Sequence, residues 1–168
     1  MPPSLVGQWV DEIENRHAGR LRVYKFYGSA RPSNPLELLN YDIVLTTFQV
    51  MVTEMKTPNS VLDLVHWHRL IVDEGHMLKN PATAQCKYMS RLRATNKWVL
   101  TGTPLSTSIH ELQGYLDFLG LVPPALHPKW VSGSSLSSLH FALSSIMKNL
   151  VLRCVRAHFC FCRLVCAC

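Results

Sequence analysis

Residues 70–76 read Leu70-Ile71-Val72-Asp73-Glu74-Gly75-His76, a short β-branched apolar run that ends in two adjacent carboxylates. Such a run suits a strand covered on both faces in a parallel sheet. Open α/β sheets bind their ligands outside the carboxyl ends of these strands. Two acids at that position fit nucleotide hydrolysis, in which one carboxylate holds a Mg²⁺ shell and its neighbour orients or deprotonates the attacking water. In this reading Asp73 takes the metal role and Glu74 the water. A solvated strand-to-loop junction, where Asp, Glu and Gly are all common, accounts for the same residues without any chemistry.

Outward from this stretch the chain alternates helix and strand patterns. Residues 5–16 predict an amphipathic helix with Leu5, Trp9 and Ile13 on one face. Residues 21–26 suit a strand, followed by a turn-prone stretch over 28–35 and a short apolar segment at 36–39. Asp42-Ile43-Val44-Leu45-Thr46 has the same apolar, β-branched character as 70–73. Asn80-Pro81 reads as a helix start, with Asn80 as cap and Pro81 at the first helical position, so 82–93 is expected to be helical. A strand at 97–101 and a helix at 109–119 follow. Repeated βα units with buried parallel strands predict a three-layer α/β/α sandwich with a mostly parallel sheet.

The chain of 168 residues is 48% hydrophobic and 17% charged, one domain's worth of ordinary globular sequence. Its mean hydropathy of +0.09 argues against disorder. No apolar run approaches the roughly 18 to 20 residues of a bilayer-spanning helix, and no basic-then-apolar signal pattern opens the chain. These features predict a soluble, intracellular protein without membrane contact. The net charge of +6 suggests nucleic acid, but its distribution weakens that inference. All eleven acids lie at or before Asp117, facing twelve Lys/Arg, while Lys129, Lys148, Arg153, Arg156 and Arg163 follow with no acid among them. The basic excess therefore belongs to the tail, and DNA binding by the body has to rest on motifs.

A second strand-end motif, Trp98-Val99-Leu100-Thr101-Gly102-Thr103-Pro104, lies downstream. With it the chain resembles the superfamily-two helicases, and within them the Swi/Snf-type translocases of double-stranded DNA. Pro3-Ser4-Leu5-Val6 with Gln8-Trp9 and Glu12-Ile13 is similar to the family's motif Ia, and Tyr41 through Phe48 to its motif Ib. Asp73-Glu74-Gly75-His76 resembles motif II, and Leu100-Thr101-Gly102-Thr103-Pro104 resembles motif III. Trp67-His68-Arg69 before motif II and Leu78-Lys79-Asn80-Pro81 after it fit as well. Motifs found in the correct order are far more specific than any one alone. The DEGH form followed by Lys-Asn is most similar to the subgroup of the helicase-like transcription factor and its fungal DNA-repair relatives, in which a RING module is often inserted farther along.

The resemblance implies an N-terminal RecA-like lobe, with ATP and Mg²⁺ as cofactors, duplex DNA or chromatin as partner, and the nucleus as location. It implies Asp73 as the Mg²⁺-coordinating acid, acting through ATP, and Glu74 as catalytic base. Gly75 and His76 would sense a partner lobe, and Thr101, Gly102 and Thr103 would couple the nucleotide site to DNA. Ser4 and Gln8, with Thr46 and Thr47, match segments along the tracked strand, where short hydroxyl and amide groups suit backbone contacts. Without the resemblance, Thr47 reads equally as a strand-end cap and Gln8 as a solvated helix residue. Trp9 and Trp98 read as core.

The 168 residues contain no G-x-x-x-x-G-K-[ST] phosphate loop, and a second RecA-like lobe is absent. Hydrolysis without phosphate cradle or arginine finger loses its positioning and charge stabilisation, so the expectation is a lobe incomplete at its N-terminus, with an exposed sheet edge and negligible ATPase activity by itself. After Pro104 the family often continues Gln-Asn, where this chain has Leu105-Ser106-Thr107-Ser108. The expected layout is a partial lobe over 1–121, a loop and helix over 122–153, and a Cys-rich tail over 154–168. His158, Cys160, Cys162, Cys166 and Cys168 offer soft ligands for zinc, but C-x-C spacing cramps a tetrahedral site. The preferred reading of that tail is intron read-through or a shifted frame. The rival for the whole chain is a truncated, non-catalytic module that binds DNA or protein.

Overall fold

The computed structural model describes residues 1–29, 31–103 and 111–121. The serine-rich stretch, the expected helix over 139–152 and the Cys-rich tail lie outside these described residues, as does Pro104.

The chain opens with helix α1 (Leu5–His17), one residue longer than the periodicity predicts. Ala18 closes it in the left-handed conformation, φ 46°, its N–H donating to the Glu14 carbonyl. Strand β1 (Val23–Lys25) and strand β2 (Ile43–Leu45) pair in parallel with Val23 opposite Ile43. Between them lies the short helix α2 (Pro35–Leu38), started by Asn34, whose side chain accepts from the Leu36 N–H. The β2 side chains divide between two faces. Ile43 and Leu45 pack with Val10 and Ile13 of α1, while Val44 turns to the larger core on the other side. Val23 and Tyr24 of β1 divide the same way. Helices therefore cover both faces of the pair, as the three-layer expectation requires.

Two further helices, α3 (Phe48–Met55) and α4 (Val61–Leu64), precede the decisive strand, and neither is anticipated above. Strand β3 (Trp67–Val72) then pairs in parallel with β4 (Ala94–Val99), Val72 standing opposite Val99. Among the described residues β1–β2 and β3–β4 are two separate hydrogen-bonded pairs. A mainly apolar cleft of about 90 Å³ lies between them, lined by Val44, Leu45, Trp67, Leu70 and Met89 among others.

Helix α5 (Ala84–Arg91) corrects the expected start at Asn80-Pro81. Thr83 is the cap, its hydroxyl accepting from the Cys86 N–H at 3.3 Å. Asn80 instead closes a preceding turn, accepting from the Ala82 N–H at 2.9 Å. Helix α6 (Glu111–Leu119) ends the described chain. Its Phe118 is wholly buried, and Lys97 Nζ lies 5.3 Å from the Phe118 ring centroid. Burial lowers the Lys97 ammonium from its ordinary range.

The expectation of a core tryptophan at 98 fails, because Trp98 is 45% exposed. Side chains alternate along a strand. Lys97 and Val99 turn towards Phe118 and the core, so Trp98 between them faces away.

Candidate nucleotide and DNA site

Parallel pairing of β3 with β4 brings the two sequence motifs together at the carboxyl ends of the two strands. The ladder runs past the strands, with Leu100 N–H donating to the Val72 carbonyl at 2.8 Å and Gly75 N–H donating to the Leu100 carbonyl at 2.8 Å. Asp73 and Glu74 thus leave β3 beside the segment that leads into Thr101–Gly102–Thr103. Gly75 is buried, and a Cβ there would collide with Val99 Cγ1 and lie 3.2 Å from the Leu100 carbonyl oxygen. The close approach of the two motifs therefore requires glycine.

Glu74 adopts φ 54°, ψ 54°, a left-handed conformation that is uncommon for a residue with a side chain. Strain of this kind concentrates at ligand sites, where the surroundings hold the residue in place. The turn lets the Glu74 N–H donate to Asp73 Oδ1 at 3.0 Å. Gly75–Leu78 then forms a single 3₁₀ turn. His76 Nδ1 lies 3.2 Å from Glu74 Oε2, both side chains about half exposed. Asp73 Oδ2 accepts from Trp9 Nε1 at 2.9 Å across a sequence separation of 64. The Met1 amine, lowered by burial to about 6, is opposed in that shift by the Asp73 charge.

On the β4 side the Thr101 hydroxyl accepts from the Thr103 N–H at 3.2 Å. Helix α6 backs both motifs. Lys79 Nζ bridges Glu111 Oε2 at 2.9 Å, and Gly114 lies directly against the Leu78 carbonyl. Burial pushes the Tyr115 phenol up, with the Thr101 hydroxyl acting in the opposite direction.

Of the four candidate DNA residues, Thr46 and Thr47 directly follow β2, while Ser4 and Gln8 lie at the start of α1. Met1 accepts at its carbonyl from the Phe48 N–H at 3.3 Å, and its amine donates to the Thr46 carbonyl at 3.4 Å, which brings the start of α1 to that strand end. Ser4 and Gln8 are exposed and four residues apart, so they share one helix face. Ser4 makes no side-chain cap bond. Thr46 donates its hydroxyl to the Phe26 carbonyl at 2.9 Å. Thr47 is buried, and its hydroxyl accepts from the Val50 N–H at 3.2 Å as the N-cap of helix α3, a structural role at the helix start and not the strand-end cap of the alternative reading.

Among the described residues no cluster of three or more His, Cys, Asp or Glu side chains is arranged to hold a metal ion, and no helix is long and apolar enough to cross a membrane.

The SNF2-related domain profile matches residues 1–157. The chain belongs to the SNF2-related domain family. Helicase-like transcription factor of Oryctolagus cuniculus is 35% identical over 162 residues, covering 90% of this chain and 16% of that protein. DNA repair protein RAD5A of Arabidopsis thaliana is 38% identical over 128 residues, covering 73% of this chain and 12% of that protein. The SNF2-related chain therefore spans only about one-sixth or less of these curated relatives' lengths. In structure it is similar to the Sulfolobus solfataricus SWI2/SNF2 ATPase core in complex with dsDNA, with a TM-score of 0.67 at 26% identity, covering 88% of this chain and 31% of that one. That likeness establishes the RecA-like α/β fold, and the helicase-like transcription factor among the relatives bears the name of the subgroup that the DEGH segment resembles.

The Trp9–Asp73 bond was missed by the sequence reading, which assigned Trp9 to the core. A half-buried indole has one N–H donor that seeks an acceptor. That need is the signal in the sequence, but nothing local to Trp9 indicates an acceptor 64 residues away.

Proposed function

We propose that this chain supplies the Asp-Glu part of the ATP site, and part of the DNA-facing surface, of a nuclear ATP-dependent translocase on double-stranded DNA that serves chromatin remodelling or DNA repair. The observation that carries the reading is the junction of Asp73-Glu74-Gly75 with the β4 end, closed by the Gly75–Leu100 hydrogen bond of 2.8 Å. The family, and a structural neighbour solved with dsDNA, support it.

The donor set fits Mg²⁺ with a nucleotide. Carboxylate oxygens are the hard ligands this ion takes, and Mg²⁺ is commonly held by one or two carboxylates together with substrate phosphates. Each Asp73 oxygen accepts one N–H, and an ionised carboxylate oxygen has room for a further contact. Asp73 would hold the ion; bound there with ATP, Mg²⁺ would neutralise charge on the phosphates. Glu74, oriented by His76, would align the attacking water and take its proton. Gly75 and His76 would report the position of a partner lobe. Thr101, Gly102 and Thr103 would relay the state of the nucleotide to the duplex. Ser4 and Gln8 would face the DNA backbone, with Thr46 and Thr47 bordering the same end of β2.

With no phosphate loop among its 168 residues, the chain is expected to bind duplex DNA without turning over ATP. Fluorescence anisotropy with duplexes of unrelated sequence should give similar affinities that fall steeply with salt. Ser4→Asp combined with Gln8→Glu should weaken binding several-fold by setting negative charge against phosphate. Equal binding by the double variant would remove α1 from the DNA surface, and DNA-stimulated ATP turnover by the chain would refute the claim that these residues alone lack hydrolysis.

A further inference from the structure

We propose that Trp9 is the positioning residue for Asp73, tying the exposed face of α1 to the metal-holding acid through one hydrogen bond. The inference rests on the reading of Asp73 as the Mg²⁺ acid and adds to it the means by which a load on α1 reaches that acid.

Beyond the Met1 bonds to Thr46 and Phe48 at its start, helix α1 meets the sheet through two kinds of side-chain contact. Its buried Val10 and Ile13 pack on Ile43 and Leu45 of β2, an apolar contact that tolerates small shifts without a directional penalty. Trp9 makes the second attachment, donating Nε1–H to Asp73 Oδ2 at 2.9 Å in a partly buried setting. A bond from N–H to a carboxylate is charge-assisted and directional. Asp73 Oδ1 is already fixed by the Glu74 N–H, so the Trp9 bond completes the restraint on carboxylate rotation. Gln8 precedes Trp9 and lies exposed on α1 with Ser4. A displacement of α1 along the duplex would therefore move the indole and turn the carboxylate. Groups that hydrogen-bond a metal ligand orient it, and removing them costs about 10- to 100-fold in metal affinity.

The test uses the whole chain, uniformly ¹⁵N-labelled so that indoles and backbone amides are both seen, the Trp9 indole signal being identified by its loss in Trp9→Phe. In Asp73→Ala the Trp9 Nε1–H signal should move and exchange with solvent about tenfold faster or more. The Trp67 indole, which donates to the Leu62 carbonyl at 3.1 Å, should stay in place. Mn²⁺ alone, titrated as the probe, should broaden the Glu74 and Gly75 amides of the wild type, and Trp9→Phe should raise the required concentration about tenfold. Phenylalanine keeps the apolar packing, so a purely structural role predicts no such shift. An unmoved Trp9 signal in Asp73→Ala, or an unchanged Mn²⁺ midpoint in Trp9→Phe, would overturn the proposal. Absence of Mn²⁺ broadening in the wild type would refute the metal role of Asp73 instead, and the indole signal alone would then decide the tether.

Discussion

Replacing Gly114 with alanine should cost about 3 kcal/mol of folding stability, against a total of roughly 5–15 kcal/mol for a domain of this size. The added Cβ would collide with the Leu78 carbonyl oxygen, sit 2.9 Å from the Leu78 carbonyl carbon and 3.4 Å from Cys86 Sγ. The obstacle is backbone, which cannot swing aside like a side-chain tip. Helix α6 would have to slide outward, loosening the 2.9 Å Lys79–Glu111 bridge and uncovering Tyr115 and Phe118, both now buried. Alanine's helix preference over glycine, about 1 kcal/mol, offsets only part of this. Gly7 of α1 is the control, since nothing lies within 4 Å of a Cβ added there. Gly7→Ala should stabilise by about 0.5–1 kcal/mol. Urea unfolding of both variants checks the pair, and equal midpoints would mean that α6 does not pack on the turn after motif II.

Truncating Trp67 to alanine should cost about 3–5 kcal/mol. The side chain is 7% exposed, belongs to the larger core and donates to the Leu62 carbonyl. Its loss leaves a cavity at the entry to β3 and removes the partner of the Leu62 carbonyl in α4. Trp98→Ala, at a site 45% exposed, should cost less than about 1 kcal/mol. Chemical denaturation followed by far-UV circular dichroism separates the two, and a Trp98 effect as large as that of Trp67 would contradict the outward orientation of Trp98.

The contrast between these tryptophans shows where sequence reasoning held and where it stopped. The end of strand β3 is legible in the apolar run Leu70-Ile71-Val72 that stops at two acids, whereas its first residues, Trp67-His68-Arg69, lack the apolar character that marks a buried strand. Helix α1 was legible from Leu5, Trp9 and Ile13, and β2 from Ile43 to Leu45. Helix α3 carries a helical signal in its sequence. Phe48, Met51 and Met55 are its buried residues, at spacings of three and four that mark a helix face, and Thr47 caps it. The α5 start was misplaced because Asn80 and Thr83 are both good caps. Thr83 also donates its hydroxyl to the Asn80 carbonyl at 2.8 Å, so the two signals are nested and only the fold ranks them. The inward or outward facing of Trp98 depends on register against β3, which composition does not encode. The Trp9–Asp73 contact depends on how α1 lies across the sheet, a tertiary fact with no local signature.

The central claim is that Mg²⁺ and ATP sit where β3 and β4 end. The most direct measurement is paramagnetic broadening of the ¹H–¹⁵N spectrum of the chain by Mn²⁺ with ATP, in wild type and in Asp73→Ala. The account predicts broadening centred on Asp73 to Gly75 and on Thr101 to Thr103 in the wild type, and its loss in the variant. Broadening that is absent, that lies elsewhere, or that persists unchanged in Asp73→Ala would contradict it.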